Sequence, residues 1–305
     1  ELAFLQRVLR CSFGQRLVDA PGGEGSVFEL DGGLLHLHVF DPSEVLTPGL
    51  AVDDGVTLEA GNLNAPHNFV RFHLSRWVPP SLAPRLVYLD TDVVVLGDVC
   101  DLHDTALPAA PLAAGFGEAK GQQPEDPTAD SGLDEATAAA AMSPPPPPPP
   151  RRRPVVAAVP RRDLPISVYL KALSPKMPIW LPSSAPSFNA GVMVIDMHAW
   201  EASNITGLVD SWARRNSGRE LWRHGSQPPL LLLLHDRVSW LDAAWNIDGL
   251  GHHKPQSPEA LATARILHWT GPLKPWAANG LHQDLWQPFA VHCWRGFEDA
   301  VLPAT

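Results

Sequence analysis

LVYLDTDVVVLGDV, residues 86–99, decides how this chain is read. Its apolar, β-branched character is that of a strand buried on both faces. Asp90 and Asp92 interrupt that run, and an ionised carboxylate is costly to bury unless it is paired or bound to a metal. Residues i and i+2 of extended backbone point the same way, so the two acids are expected to aim at one point just past the strand. Open α/β sheets bind their ligands there, beyond the carboxyl ends of the strands.

The 305 residues suffice for one large α/β domain or two small ones. Hydrophobic residues make up 45% and charged residues 18%, the balance of a chain with a real core. A net charge of −10 and a pI near 5.7 argue against a general affinity for nucleic acid. Cys11, Cys100 and Cys293 show neither metal-ligand spacing nor a disulfide framework. The longest apolar run, PLLLLL at 229–234, is too short to cross a bilayer. In ELAFLQRVLRC, Leu2, Leu5 and Leu9 share one helical face, and a chain that opens in mid-helix without Met is expected to lack its N-terminus.

Composition breaks at residues 118–163, which are rich in Ala, Pro and charge and include the polyproline run 144–150 followed by Arg151–Arg153. That segment is read as a disordered low-complexity insertion in a single domain spanning 1–305. Outside it, LLHLHVF (34–40) reads as a strand and NFVRFHLSRWV (68–78) as a helix. FNAGVMVIDM (188–197) reads as a strand, NITGLVDSWARR (204–215) as a helix, and RILHWTGPLKPW (265–276) as a short strand breaking into a turn. Alternating strands and helices predict a mainly parallel central sheet covered by helices on both faces.

An Asp-x-Asp pair alone supports three readings. The acids can cap the next turn; they can open a phosphatase with an aspartyl nucleophile; or they can hold a metal on the diphosphate of a nucleotide sugar. The phosphatase needs a second acidic pair at another strand end, and Asp196 stands alone after GVMVI. HWTGPLKPW favours the metal. His268 ends a strand, Gly271 and Pro272 turn the chain, and Lys274 offers a compact ammonium suited to a phosphate. The Gly271 turn would let backbone N–H groups approach an anion. Mixed O/N ligation suits Mn2+ better than Mg2+. Taken singly, His268 reads first as a packed core histidine and Lys274 as a solvated surface lysine.

Six segments in order, LNAPHNFVRFHL, LVYLDTDVVVLGDV, FNAGVMVIDMHAW, GSQPPLLLLL, AAWNIDGLG and ILHWTGPLKPW, resemble glycosyltransferase family 8, most closely its plant galacturonosyltransferase-like branch. The resemblance runs from about Leu34 to Trp286 apart from the insertion. It implies a GT-A type nucleotide-sugar fold, a Mn2+ cofactor and retaining transfer of a hexose or hexuronic acid from a UDP-sugar to a glycan acceptor. Galacturonic acid in cell-wall polysaccharide synthesis is one version of that activity. On the family pattern Asp90, Asp92 and His268 hold the metal, Gly271 and Lys274 hold the diphosphate, and Arg71 reaches the donor. Asn189 faces the sugar and Gln227 lies beneath the anomeric carbon. Ser226 stands where some members carry an aspartate for the donor's hydroxyls. Trp245 and Asn246 match a segment on the acceptor side, and equally read as a packed tryptophan with a turn asparagine.

The alternatives are a family member without turnover, acting as a binding module, and the phosphatase. Asn204 opens an N-I-T sequon, in keeping with a Golgi lumenal protein anchored to the membrane only through a segment outside this chain. His252, His253 and Lys254 offer a positive edge for an acidic acceptor.

Overall fold

The computed structural model describes Gln6, Leu9 and residues 17–19, 27–40, 66–107, 153–171, 174, 176, 184–216, 218–223 and 225–290. The Leu2–Leu9 face, the polyproline run, Cys11 and Cys293 lie wholly or mostly outside them. The centre is a sheet in the order β10(Val238–Trp240), β6(Val156–Ala158), β9(Val192–Asp196), β4(Arg85–Leu89). β10 and β6 are parallel, whereas β9 is antiparallel to both β6 and β4. Three strands therefore share one direction and β9 is reversed, so the sheet is mixed. Reversal puts the start of β9 beside the end of β4, with Leu89 opposite Val192.

Strand alternation divides the core in two. Met193 and Ile195 of β9, with Val156 and Ala158 of β6, face one cluster that includes Trp200, Ile205, Val209 and Leu231. Those partners lie on α3(Met197–Ala202), α4(Ile205–Arg215) and α5(Gln227–Leu234). Val192, Val194 and Ala157 face the opposite way, onto Leu102, Trp245 and Ile266. Helices thus lie over both faces, though unequally. The second face is closed by the single helical turn α2(Val99–His103) and by an antiparallel ribbon of β5(Val93–Val95) with β11(Ile266–His268).

The boundary of the insertion also changes. Residues 153–163 are ordered: Val155, Val156, Ala157 and Ala158 are fully buried, and Pro160–Pro165 forms β7, paired with β8(Pro186–Phe188). VVAAV escaped notice because it is short, alanine-rich and flanked by Pro and Arg. Its small side chains suit a central strand pressed from both sides. The remainder of the segment lies outside the described residues.

Elsewhere the boundaries shift. The strand in 34–40 is β3(Gly33–His36), part of a separate antiparallel sheet with β1(Leu17–Asp19) and β2(Val27–Leu30). The helix in 68–78 is a 3-10 turn, Pro66–Phe72, followed by α1(Leu74–Trp77). A 3-10 turn eclipses side chains at i and i+3, and Phe69 and Phe72 meet edge to face, 5.7 Å apart. FNAGVMVIDM divides into β8 and β9 around a turn at 189–191. Asp196 N-caps α3 by accepting from Ala199 N at 2.8 Å. Among the described residues no helix is long and apolar enough to cross a membrane.

Candidate functional site

Two registers build the site. The β4–β9 ladder extends one step past Leu89, where Asp90 N donates to Gly191 O at 2.8 Å. The β5–β11 ribbon sets His268 opposite Val93, and Trp269 N donates to Asp92 O at 2.9 Å. Asp90 is thereby fixed beside the 189–191 turn and Asp92 beside the end of β11. Residues 91 and 92 form a turn between β4 and β5, so a bend brings the two acids together where alternation along one strand was expected.

Asp90, Asp92 and His268 offer one ligand atom each, all within 4.8 Å of one another. His268 Nε2 lies 3.2 Å from Asp92 Oδ1 and 3.9 Å from Asp90 Oδ2. It is buried and has no aligned hydrogen-bond partner. Two carboxylates and an imidazole lone pair make a donor set suited to a divalent cation, so these residues fit the metal that the family pattern implies. Gly191 is what lets them converge. A Cβ there would stand 2.4 Å from His268 Cε1 and 2.5 Å from Asp90 Oδ2.

Positive charge surrounds the acids. Arg71 Nη2 donates to Asp90 Oδ1 at 2.8 Å and its Nη1 to Ala190 O at 3.0 Å. The guanidinium lies 4.9 Å from the centre of the Tyr88 ring, and Tyr88 Oη donates to the same Asp90 oxygen at 3.0 Å. Burial pushes the Tyr88 pKa up, which keeps its hydroxyl a donor. Lys274 Nζ forms a close ion pair with Asp92 Oδ2 and donates to Trp269 O at 2.7 Å. Burial alone would raise the Asp92 pKa, but its contacts with His268, then with Lys274, outweigh it and bring it down to about 2.

The other expected residues gather at the same place. Asn189 Oδ1 accepts from Gly191 N at 2.7 Å, and Gln227 Oε1 accepts from Ala190 N at 3.1 Å. Gln227 begins α5, with buried Ser226 before it. Gly271 has φ +112°, and a Cβ on it would meet Gly251 O at 2.5 Å, so this close crossing of two loops requires glycine. Lys254 pairs with Asp163 at 2.9 Å, which neutralises part of the expected positive edge. Asp196 lies at the far end of β4, opposite Arg85 in the strand register, so it cannot complete a phosphatase site with Asp90.

Sequence reasoning missed Tyr88, the role of Gly191 and the contact of Asn246 with His268. Tyr88 stands two residues before Asp90 on one strand face, and that alternation could have revealed it. The other two depend on pairings between distant segments and left no local signal.

The mixed α/β sheet, with two acids at the end of β4, an imidazole on a facing ribbon and a lysine turn beyond it, has the GT-A type fold. The family model described as glycosyl transferase family 8 matches residues 55–280, and the chain belongs to that family. Human glycosyltransferase 8 domain-containing protein 1 is 29% identical over 259 residues, covering 83% of this chain and 60% of its own length. Human glycosyltransferase 8 domain-containing protein 2 is 29% identical over 233 residues, covering 74% of this chain and 58% of its own. The chain thus spans a little over half the length of these relatives. A crystal structure of an active-site mutant of LgtC shares the fold, with a TM-score of 0.51 at 15% identity, over 87% of this chain and 80% of that one.

Two outcomes follow from this geometry. Gly191→Ala should displace Asp90 from His268, weakening binding of a divalent cation about 10-fold or more, at a cost in stability of about 1–3 kcal/mol. Paired metal titrations and denaturant unfolding read both, and unchanged cation affinity would refute the clash. The second outcome concerns acid. Because the folded pKa of Asp92 is depressed, its stabilisation is present above the unfolded value of 3.8 and is lost as pH falls toward about 2. In metal-free protein this contributes on the order of 2 kcal/mol. Asp92→Asn should flatten stability between those two values, as measured by unfolding across pH.

Proposed function

We propose that this chain transfers a hexose or hexuronic acid from a UDP-sugar to a glycan acceptor, with retention of anomeric configuration and with Mn2+ as cofactor. One observation carries the reading: in a family 8 chain, Asp90, Asp92 and His268 converge with Lys274 at their side. In the proposal Asp90, Asp92 and His268 would hold the ion, which would supply Lewis-acid stabilisation for the charge on the departing diphosphate. Lys274 then exchanges its Asp92 contact for a phosphate oxygen, adding a second positive charge where the bond breaks. Arg71 and Tyr88 hold Asp90 in place and, from behind it, Arg71 adds positive potential toward the donor. Gly271 lets the loop's backbone come close to the diphosphate.

Asn189 and Gln227 line the sugar side. The amide of Gln227 is neutral and a poor nucleophile, so its oxygen stabilises the ring's developing positive charge without forming a bond to it. The acceptor hydroxyl attacks from the face the phosphate leaves, and the leaving phosphate takes its proton. The motif likeness to the plant galacturonosyltransferase-like branch supports galacturonic acid as donor sugar and cell-wall polysaccharide as product. Neutral Ser226, beside Gln227, would take part in that choice. A binding module without turnover gains no support from a site that brings Asp90, Asp92, His268 and Lys274 together.

We place the protein's work in the Golgi lumen. Support comes from Asn204 of the sequon, exposed at a left-handed corner (φ 50°) between α3 and α4. Passed through a secretory pathway, the chain should lose mass on treatment with peptide N-glycosidase and Asn204→Gln should not; a secreted chain that does not shift would remove this support.

The activity is tested by UDP release from a panel of UDP-sugars with and without Mn2+. Metal-dependent release from one donor is expected, and Asp92→Asn should lower it about 100-fold or more by removing a charged ligand. Turnover that survives in Asp92→Asn, or that ignores Mn2+, would sink the proposal.

A further inference from the structure

We infer that Asn246 is the positioning residue that sets the tautomer of His268 and so decides whether the site can take a cation; the inference rests on the metal reading above. Asn246 ends a 3-10 turn, Ala243–Trp245, whose cap Asp242 accepts from Ala244 N at 2.8 Å. The chain then pairs in parallel with β11: Ile247 N donates to Ile266 O at 3.0 Å and His268 N to Ile247 O at 2.9 Å. That pairing brings position 246 beside position 268 across 22 residues. Asn246 Oδ1 lies 3.0 Å from His268 Nδ1, and both side chains are buried, at 5% and 0% exposure.

A neutral imidazole carries one proton, and the partner of one nitrogen decides the state of the other. With Asn246 Oδ1 accepting, the proton sits on Nδ1 and Nε2 presents a lone pair toward Asp90 and Asp92. Nε2 itself lies 3.2 Å from Asp92 Oδ1 without hydrogen-bond alignment. The other end of the amide, Asn246 Nδ2, is buried without a partner. Were the amide turned over, Nδ2 would donate to a bare Nδ1, and the proton on Nε2 would close the cluster to a cation. The two ends of this one side chain therefore correspond to an open and a closed site. A carboxylate at 246 could only accept, and leucine could do neither.

The test uses the full chain. Wild type, Asn246→Asp and Asn246→Leu are titrated with Mn2+, and the imidazole nitrogens of Zn2+-loaded wild type are read by 15N NMR, Zn2+ serving as a diamagnetic probe. The proton is expected on Nδ1. Mn2+ affinity should fall 10–100-fold in Asn246→Leu and stay within about 3-fold of wild type, or tighten, in Asn246→Asp. A leucine variant that binds Mn2+ as tightly as wild type, or an Nδ1 without its proton, overturns the inference. Should the leucine variant not fold, the NMR result and the Asp variant decide. Wild type that binds no Mn2+ refutes the metal reading itself, and that failure is visible in the wild-type arm alone.

Discussion

Two carboxylates at the end of a buried strand cannot stand uncompensated, and the answer to that constraint organises the rest of the site. Asp90 is met by Arg71 and Tyr88 from the segment and strand that precede it. Asp92 is met by His268 and Lys274 from far along the chain. The first set holds its acid still. In the second, Lys274 sits on a flexible stem whereas His268 is fixed in the core.

The reversed strand β9 gives the site its compactness. Because it enters where β4 ends, the 189–191 turn lies against Asp90, and one turn supplies three things. Asn189 bonds back to Gly191, Ala190 takes Arg71 on its carbonyl and Gln227 on its N–H, and Gly191 leaves room for the imidazole. An all-parallel sheet would have carried the start of that strand to the opposite end. The β5–β11 ribbon has the matching task on the other face, closing the second half of the core while delivering His268 and the Gly271 turn.

Much of the site was legible because its residues are chemically odd where they stand. Acids after LVYL, histidine after IL, and glycine with lysine in a proline-rich turn each break a local pattern, and six ordered segments that include them carried the family resemblance. Gly191 and Asn246 were hidden for the opposite reason: glycine after Asn-Ala and asparagine after tryptophan are ordinary turn residues. Only their neighbours 77 and 22 residues away make them necessary. VVAAV was hidden by composition, since alanine signals a strand weakly and its flanks look like a linker.

By itself, the sequence determined the residue types, the order of the segments and the apolar runs that must be buried; these suffice for an α/β chain with a cation-seeking acid pair. Tertiary structure decided the direction of β9, the two registers that fix Asp90 and Asp92, and the parallel pairing that seats Asn246 on His268. The physical reason is that strand alternation and helical periodicity are local, whereas register is set by hydrogen bonds between segments the chain separates widely.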